Sequence, residues 1–209
     1  MVQTHNLTFQ YEKSEHTFNF PNINLKAQEN LLILGKSGIG KTTLLHLLAG
    51  LLKPLNGTIL INNVDITSMR ANTLDRFRGK NIGFVFQKNH AIQSLNLIEN
   101  IEARLFFSKK SIDNTIINEV LRQLDLSDFK KNNINELSAG QLQRLNIALS
   151  VLHKPQIILA DEPTSSLDDD NCRSVIELLK KQAKQTKANL IVITHDRRIQ
   201  SFFQNSITL

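Results

Sequence analysis

Gly35-Lys36-Ser37-Gly38-Ile39-Gly40-Lys41-Thr42 is the stretch from which the rest of the chain can be read. It follows the apolar run Leu31-Leu32-Ile33-Leu34 and precedes Thr43-Leu44-Leu45-His46-Leu47-Leu48, so a buried strand runs into a glycine-rich loop and then a helix. Glycines let backbone N–H groups close on oxygen atoms, and a helix N-terminus aims its positive end at an anion. The spacing adds Lys41, which reaches the outer phosphates of a nucleotide, and Thr42, whose hydroxyl suits a Mg²⁺ shell. Gly35, Lys36, Ser37, Gly38, Ile39, Gly40, Lys41, Thr42 and Thr43 are therefore the candidate nucleotide-binding segment. A glycine turn opening an ordinary helix is the rival reading, and the strand, loop and helix order argues against it.

Upstream, Leu7, Phe9 and Tyr11 alternate with polar residues, and Phe18 and Phe20 alternate again, which predicts two antiparallel strands. Asn56-Gly57 reads as a turn before the strand Thr58-Ile59-Leu60-Ile61, which Asn62-Asn63 closes. These pieces predict a small antiparallel sheet beside the nucleotide. Asn81-Ile82-Gly83-Phe84-Val85-Phe86 is a further strand ending at Gln87. From Asn89 to Lys131 the pattern turns helical, with Ile98, Ile101 and Leu105 on one stripe and Ile112, Ile116, Val120 and Leu124 on another. Strand and helix then alternate again: Ile157-Ile158-Leu159-Ala160, a helix from about Asp170 to Gln185, and a strand from Asn189 running to Thr194-His195-Asp196.

Two further motifs carry chemistry. Asp161-Glu162 stands at the carboxyl end of an apolar strand, where an open parallel sheet places its reacting groups. Beside a phosphate cradle, Asp161 can hold the Mg²⁺ shell while Glu162 orients and deprotonates a water. Leu137-Ser138-Ala139-Gly140-Gln141 precedes a helix with Leu142, Leu145 and Leu149 on one side, and offers a hydroxyl and free N–H groups to a second anion. Alone, that motif is more often an ordinary serine cap.

The formal charge of +6 comes from scattered pairs such as Lys109-Lys110, Lys130-Lys131 and Lys180-Lys181, which form no single basic block, so no nucleic-acid partner is expected. Cys172 is the single cysteine, which suits a reducing compartment such as the cytosol. No apolar stretch is long enough to span a membrane and the start lacks signal-peptide features, so any membrane role is expected through a partner. With no repeat or linker, 209 residues read as one domain.

The phosphate cradle, Gln87 after a strand, Leu-Ser-Ala-Gly-Gln, Ile-Ile-Leu-Ala-Asp-Glu-Pro, Ser166-Leu167-Asp168 and Thr194-His195-Asp196, in this order, resemble the ATP-binding cassette (ABC) ATPases over essentially the whole chain. The resemblance implies an α/β fold: a P-loop NTPase (RecA-like) core, about residues 1–88 and 146–209, with a small antiparallel β subdomain and an inserted α-helical subdomain, about 89–145. It implies ATP hydrolysis with Mg²⁺ in a head-to-tail homodimer, each ATP lying between the cradle of one copy and the signature helix of the other. Ser138, Ala139, Gly140 and Gln141 would then act across the interface, with Asp168 linking the two sites. Glu162, His195 and Gln87 would be catalytic, Thr42, Gln87 and Asp161 would hold the metal, and Tyr11, or in competition Phe9, would stack on adenine.

The chain departs from the family at Ala139, usually glycine, at Leu149, commonly arginine, and at Ser165-Ser166. Arg76-Phe77-Arg78, the strand before Gln87 and Leu97-Ile98-Glu99-Asn100-Ile101 look like the subfamily of lipoprotein-release, macrolide-efflux and cell-division ATPases. These serve separately encoded permeases of four transmembrane helices, which implies a subunit peripheral on the cytoplasmic face of the membrane. The residues between Gln87 and Glu99 would face the permease, although Lys88-Asn89 and Gln93 depart from the subfamily pattern. Competing expectations are a force-transmitting complex without cargo, a soluble ABC ATPase of translation or DNA repair, and a regulatory ATP-binding module without turnover. The last is opposed by Glu162 and His195.

Overall fold

The structure is a computed structural model that describes the chain except for Lys13, Ile112 and Ser166. The expectations for Ile112 and Ser166 thus lie outside the described residues. Strands β1 (Val2–Gln10), β2 (Thr17–Asn19) and β3 (Asn24–Leu25) open the chain, and β4 (Asn30–Leu34) leads into α1 (Lys41–Leu48). Next come β5 (Asn56–Ile61), β6 (Val64–Asp65), α2 (Ala71–Asn81) and β7 (Ile82–Val85). Three helices, α3 (Leu97–Phe107), α4 (Asn114–Gln123) and α5 (Ala139–Val151), precede β8 (Ile157–Asp161), α6 (Asp169–Thr186), β9 (Asn189–Thr194) and β10 (Asn205–Thr208).

The strands form two sheets. One is antiparallel, in the order β2-β1-β5-β6 with β3 also on β1; the other is parallel, in the order β10-β4-β9-β8-β7. Strands β4, β8 and β9 are apolar runs because the parallel sheet is covered on both faces. Their alternation sorts the two faces. Leu32, Ile158, Ala160, Leu190 and Val192 join the helical core around α3 to α6, whereas Leu31, Ile33, Leu159, Ile191 and Ile193 face α1 and the antiparallel sheet.

Parallel pairing aligns the strand ends that matter. Leu34 pairs with Thr194, Asp161 with Ile193 and Val85 with Ala160, so the chain leaves β4, β7, β8 and β9 at one edge. Beyond β4 the chain crosses to β7 at the far side, and β10 returns on the opposite flank of β4. The connections reverse direction there, which is where open α/β sheets hold ligands.

Two local readings change. Asn56-Gly57 is no turn but the start of β5, where the pairing with β1 slips between His5 and Thr8. Gly57 has φ +93°, and a Cβ there would stand 2.4 Å from the His5 carbonyl oxygen. A bulge needs the same left-handed glycine that a turn needs, so the sequence signal is shared. The turn itself is Asn62-Asn63, at φ +48° and +65°, joining β5 to β6. Helix α2 has no predicted counterpart: it buries no residue fully and only Leu74 and Phe77 pack on the core, so it shows no apolar stripe.

Buried Asn100 organises the segment ahead of α3: its amide donates to the carbonyls of Ile92, Leu95 and Asn96 at 3.1, 3.2 and 2.9 Å, and it accepts from the Ile92 N–H at 2.7 Å. At the other end of the same layer, α5 and β7 meet backbone to backbone. A Cβ on Gly83 would lie 2.1 Å from the Ser150 carbonyl oxygen. Gly83→Ala should therefore destabilise the fold by about 3 kcal/mol, the upper range for overpacking, read as a lower urea midpoint at unchanged slope.

His153 sits in the same region. Its Nε2 bonds the Ile82 carbonyl at 3.1 Å, and Arg104, which also donates to the Leu149 carbonyl at 3.2 Å, lies against the ring. Burial, helped by the Arg104 charge, pushes the imidazole down to about 3. The ring is neutral in the folded chain, so its contribution is complete above the unfolded value near 6.5 and is lost as pH falls from there toward 3. His153→Gln should flatten the fall in stability across that window relative to the parent, measured by urea unfolding at stepped pH.

Candidate functional site

The loop after β4 carries two glycines in left-handed conformations, Gly38 at φ +81° and Gly40 at φ +104°. At Gly40 the reason is double, because a Cβ would also lie 2.7 Å from Phe18 Cδ1. The Phe18 ring thus rests on the N-cap of α1. Lys41 begins that helix, buried, with Nζ donating to the carbonyls of Gly35 and Lys36 at 2.8 and 3.0 Å. Its ammonium is curled over the loop it belongs to and stands 3.4 Å from Glu162 Oε1.

Glu162 is the meeting point of three segments. Its backbone is at φ +46°, a conformation side chains adopt at a cost, and its N–H bonds the Ile193 carbonyl at 2.9 Å. Oε2 accepts from the Thr194 hydroxyl at 2.8 Å and the His195 N–H at 3.3 Å, and lies 3.0 Å from His195 Nδ1. Burial alone would raise this carboxyl, but the His195 and Thr194 hydrogen bonds outweigh it and hold the group below its ordinary value. It is an anion at neutral pH. Asp161 behaves oppositely: burial raises it, as does the Glu162 charge, against a hydrogen bond from Thr42 Oγ1 at 3.4 Å.

These groups surround a cavity of about 620 Å³. Lys36, Ser37, Gly38, Gly40, Lys41, Thr42 and Thr43 form its floor, and Gln87, Glu162 and His195 its far wall. Tyr11 and Phe18 close the remaining side. Tyr11 is 43% exposed, edge-on to Phe9 at 4.7 Å, and its hydroxyl lies 3.0 Å from Thr43 Oγ1. Of the candidate residues on this segment, Gly35 lies behind the floor, where Ile39 Cγ2 approaches it, and Ile39 is turned to solvent. Asp161 sits beneath Thr42. The Thr42 hydroxyl, Asp161 carboxylate and Gln87 amide oxygen are hard oxygen donors of the kind Mg²⁺ takes, and they converge from α1, β8 and the end of β7.

Ser138, Ala139, Gly140, Gln141 and Asp168 do not line this cavity. Ser138 caps α5, accepting from the Gln141 N–H at 3.3 Å while the Gln141 side chain accepts from the Ser138 N–H at 2.8 Å. Ala139 is the first helical residue and its φ is not positive, so a methyl fits without strain. Gly140 opens to empty space, with nothing within 4 Å of a Cβ. Asp168 caps α6 through the Asn171 N–H at 2.9 Å. Gln143, on α5, reaches the Pro163 carbonyl at 3.1 Å and so ties this helix to the chain just after Glu162.

Phe18, Thr194 and Gln143 were not among the sequence candidates. The alternation puts Phe18 on a strand, but nothing local says which way it faces. Thr194 had a signal in its position beside His195; its service to Glu162 depends on the β8–β9 pairing.

Residues 18–165 match the ABC transporter family. The lipoprotein-releasing system ATP-binding protein LolD of Buchnera aphidicola subsp. Acyrthosiphon pisum is 36% identical over 201 residues, covering 94% of this chain and 88% of that one. The ABC transporter ATP-binding protein YtrE of Bacillus subtilis is 36% identical over 179 residues, covering 85% of this chain and 78% of that one. Solved structures of MJ0796, a protein of Methanocaldococcus jannaschii, match at TM-score 0.88 and 33% identity, covering 100% of this chain and 94% of that one; they are described as a dimeric ABC transporter cassette and as a dimeric post-hydrolysis state bound to ADP and Pi. With the cradle, Glu162 and the strand-end histidine gathered around one cavity, this chain belongs to the ABC transporter family as an ATP-binding, ATP-hydrolysing subunit that works with a separate permease.

Proposed function

We propose that two copies of this chain bind two ATP molecules head to tail and deliver the energy of hydrolysis to a membrane permease of the lipoprotein-release or macrolide-export kind. The observation that carries the reading is the Lys41–Glu162–His195 cluster lining a nucleotide-sized cavity. Backbone N–H groups of the loop and α1 would receive the phosphates, and the Tyr11 ring would cover the base. Lys41 would exchange Glu162 for the γ-phosphate, which leaves the carboxylate free to orient and deprotonate a water. His195 would hold that phosphate from the opposite side. Thr42, Asp161 and Gln87 would hold Mg²⁺, which when bound offsets phosphate charge.

Ser138, Ala139, Gly140 and Gln141 lie exposed or half-buried at the start of α5, outside their own cavity. A second copy supplying them to the γ-phosphate explains why an exposed serine cap and an open glycine stand at a helix N-terminus. Asp168, exposed at the start of α6, would meet the other copy as well. The permease would dock on the segment ahead of α3, where Ile92 is 44% exposed, and on the end of α3, where Phe106 and Phe107 are 74% and 71% exposed. No helix among the described residues is long and apolar enough to cross a membrane, so attachment to its cytoplasmic face would run through that contact.

Glu162→Gln keeps size and removes the proton acceptor, so hydrolysis should fall roughly 10²- to 10⁴-fold while ATP still binds. ATP with Mg²⁺ should then shift the variant from monomer to dimer in size-exclusion chromatography, and adding Ser138→Arg should abolish the shift. Parental turnover in Glu162→Gln would refute the catalytic assignment. Phe106→Ser with Phe107→Ser should leave the ATPase rate of the isolated chain within about twofold, since neither ring touches the cavity. Detergent co-purification with a four-span permease should be lost; retention would place the contact elsewhere.

A further inference from the structure

Arg198 stands three residues beyond His195, in the short helical turn Arg197–Phe202. Its guanidinium takes hold of two separate segments. Nε and Nη2 donate to the Asp196 carboxylate at 2.9 and 2.7 Å, Nη1 donates to Asp169 Oδ1 at 2.5 Å, and Nη2 also reaches the Leu167 carbonyl at 3.3 Å. Leu167 and Asp169 are the two neighbours of Asp168, so one side chain grips the Asp168 turn from both sides.

The other end of the grip is tied inward. Asp196 is far less exposed than the arginine, 9% against 43%, and its Oδ2 accepts from the Thr164 hydroxyl at 3.3 Å. The Asp196 N–H bonds Thr194 Oγ1 at 2.9 Å, and that same hydroxyl donates to Glu162 at 2.8 Å. A continuous run of hydrogen bonds therefore leads from Glu162 through Thr194, Asp196 and Arg198 to the residues flanking Asp168. An exposed single ion pair contributes little. A planar fork bonded to three residues is different in kind, because it fixes the relative placement of the groups it joins.

We propose that Arg198 is a positioning residue that locks the Asp168 turn to the strand end carrying His195, so that engagement of this edge by a second copy is transmitted to Glu162. The inference rests on the two-copy reading above. Arg198 touches no residue of the cavity floor, so ATP affinity of a single chain does not depend on it. A lysine supplies the charge but one ammonium cannot span Asp196, Asp169 and the Leu167 carbonyl as the fork does.

The test measures two quantities in the Glu162→Gln background of the full chain: MgATP affinity at protein concentrations too low for dimers, and the ATP-dependent dimer dissociation constant by sedimentation. Arg198→Ala should weaken the dimer by about threefold to tenfold, the span of one net hydrogen bond at this partly exposed site, with ATP affinity within about twofold. Arg198→Lys should not restore it. Asp169→Asn combined with Arg198→Ala should be no worse than the stronger single change, because the two act through one contact. An unchanged dimer, an equal loss of ATP affinity, or full recovery by lysine would each overturn the proposal. Asp168→Ala separates the layers: if it weakens the dimer and Arg198→Ala does not, the Arg198 role falls and the two-copy reading stands. If the Glu162→Gln chain never dimerises with ATP, both fall.

Discussion

A carboxylate and an ammonium held 3.4 Å apart at the end of a parallel sheet with buried central strands set the terms for the rest of this molecule. Removing Lys41 and Glu162 from water is unfavourable unless the remaining hydrogen-bonding capacity is met, and the fold meets it from three directions. Two loop carbonyls take Lys41; a strand-end hydroxyl and a backbone N–H take Glu162. None of these partners is local to the other residue. The pair exists only if β4, β8 and β9 lie parallel, in the observed register, with their carboxyl ends flush.

That requirement explains the distribution of apolar residues. A parallel sheet leaves its carboxyl edge free of hairpins and must be covered on both faces, so β4, β8 and β9 are apolar without alternation and chemistry is confined to the residues just past them. The left-handed backbone of Glu162 belongs to the same design. The chain leaves β8 abruptly and brings this side chain beside Lys41 and His195, with a non-glycine residue held in a strained conformation there.

Legibility in the sequence followed the same division. Residues whose chemistry is fixed by local backbone could be read directly: the glycines and lysine of 35–42, Asp161-Glu162 after its apolar run, and Ser138 before its helix. Strand and helix alternation gave the α/β class, which the matching cassette structures bear out. What escaped reading depends on distant partners. Phe18 matters because Gly40 comes under it, Thr194 because β8 pairs with β9, and Gly83 because α5 folds back to touch it. Helix α2 escaped for the opposite reason, since its two core contacts leave no periodic stripe. Asn56-Gly57 misled because bulges and turns call on glycine for one and the same dihedral.

The close approach at Gly83 has a mechanical consequence. It fixes α5 near Ser150, while Ser138 lies twelve residues away, about 18 Å along the axis at 1.5 Å per residue. A helix clamped near one end is a lever: a tilt of about 5° carries the other end through roughly 1.6 Å over that length. Gln143 hangs on the same arm and pulls on the carbonyl of Pro163, immediately after Glu162. Whatever displaces the serine end of α5 therefore also tugs on the turn that aims the carboxylate, and the arm's accuracy is set at the fulcrum, by the missing side chain of one glycine.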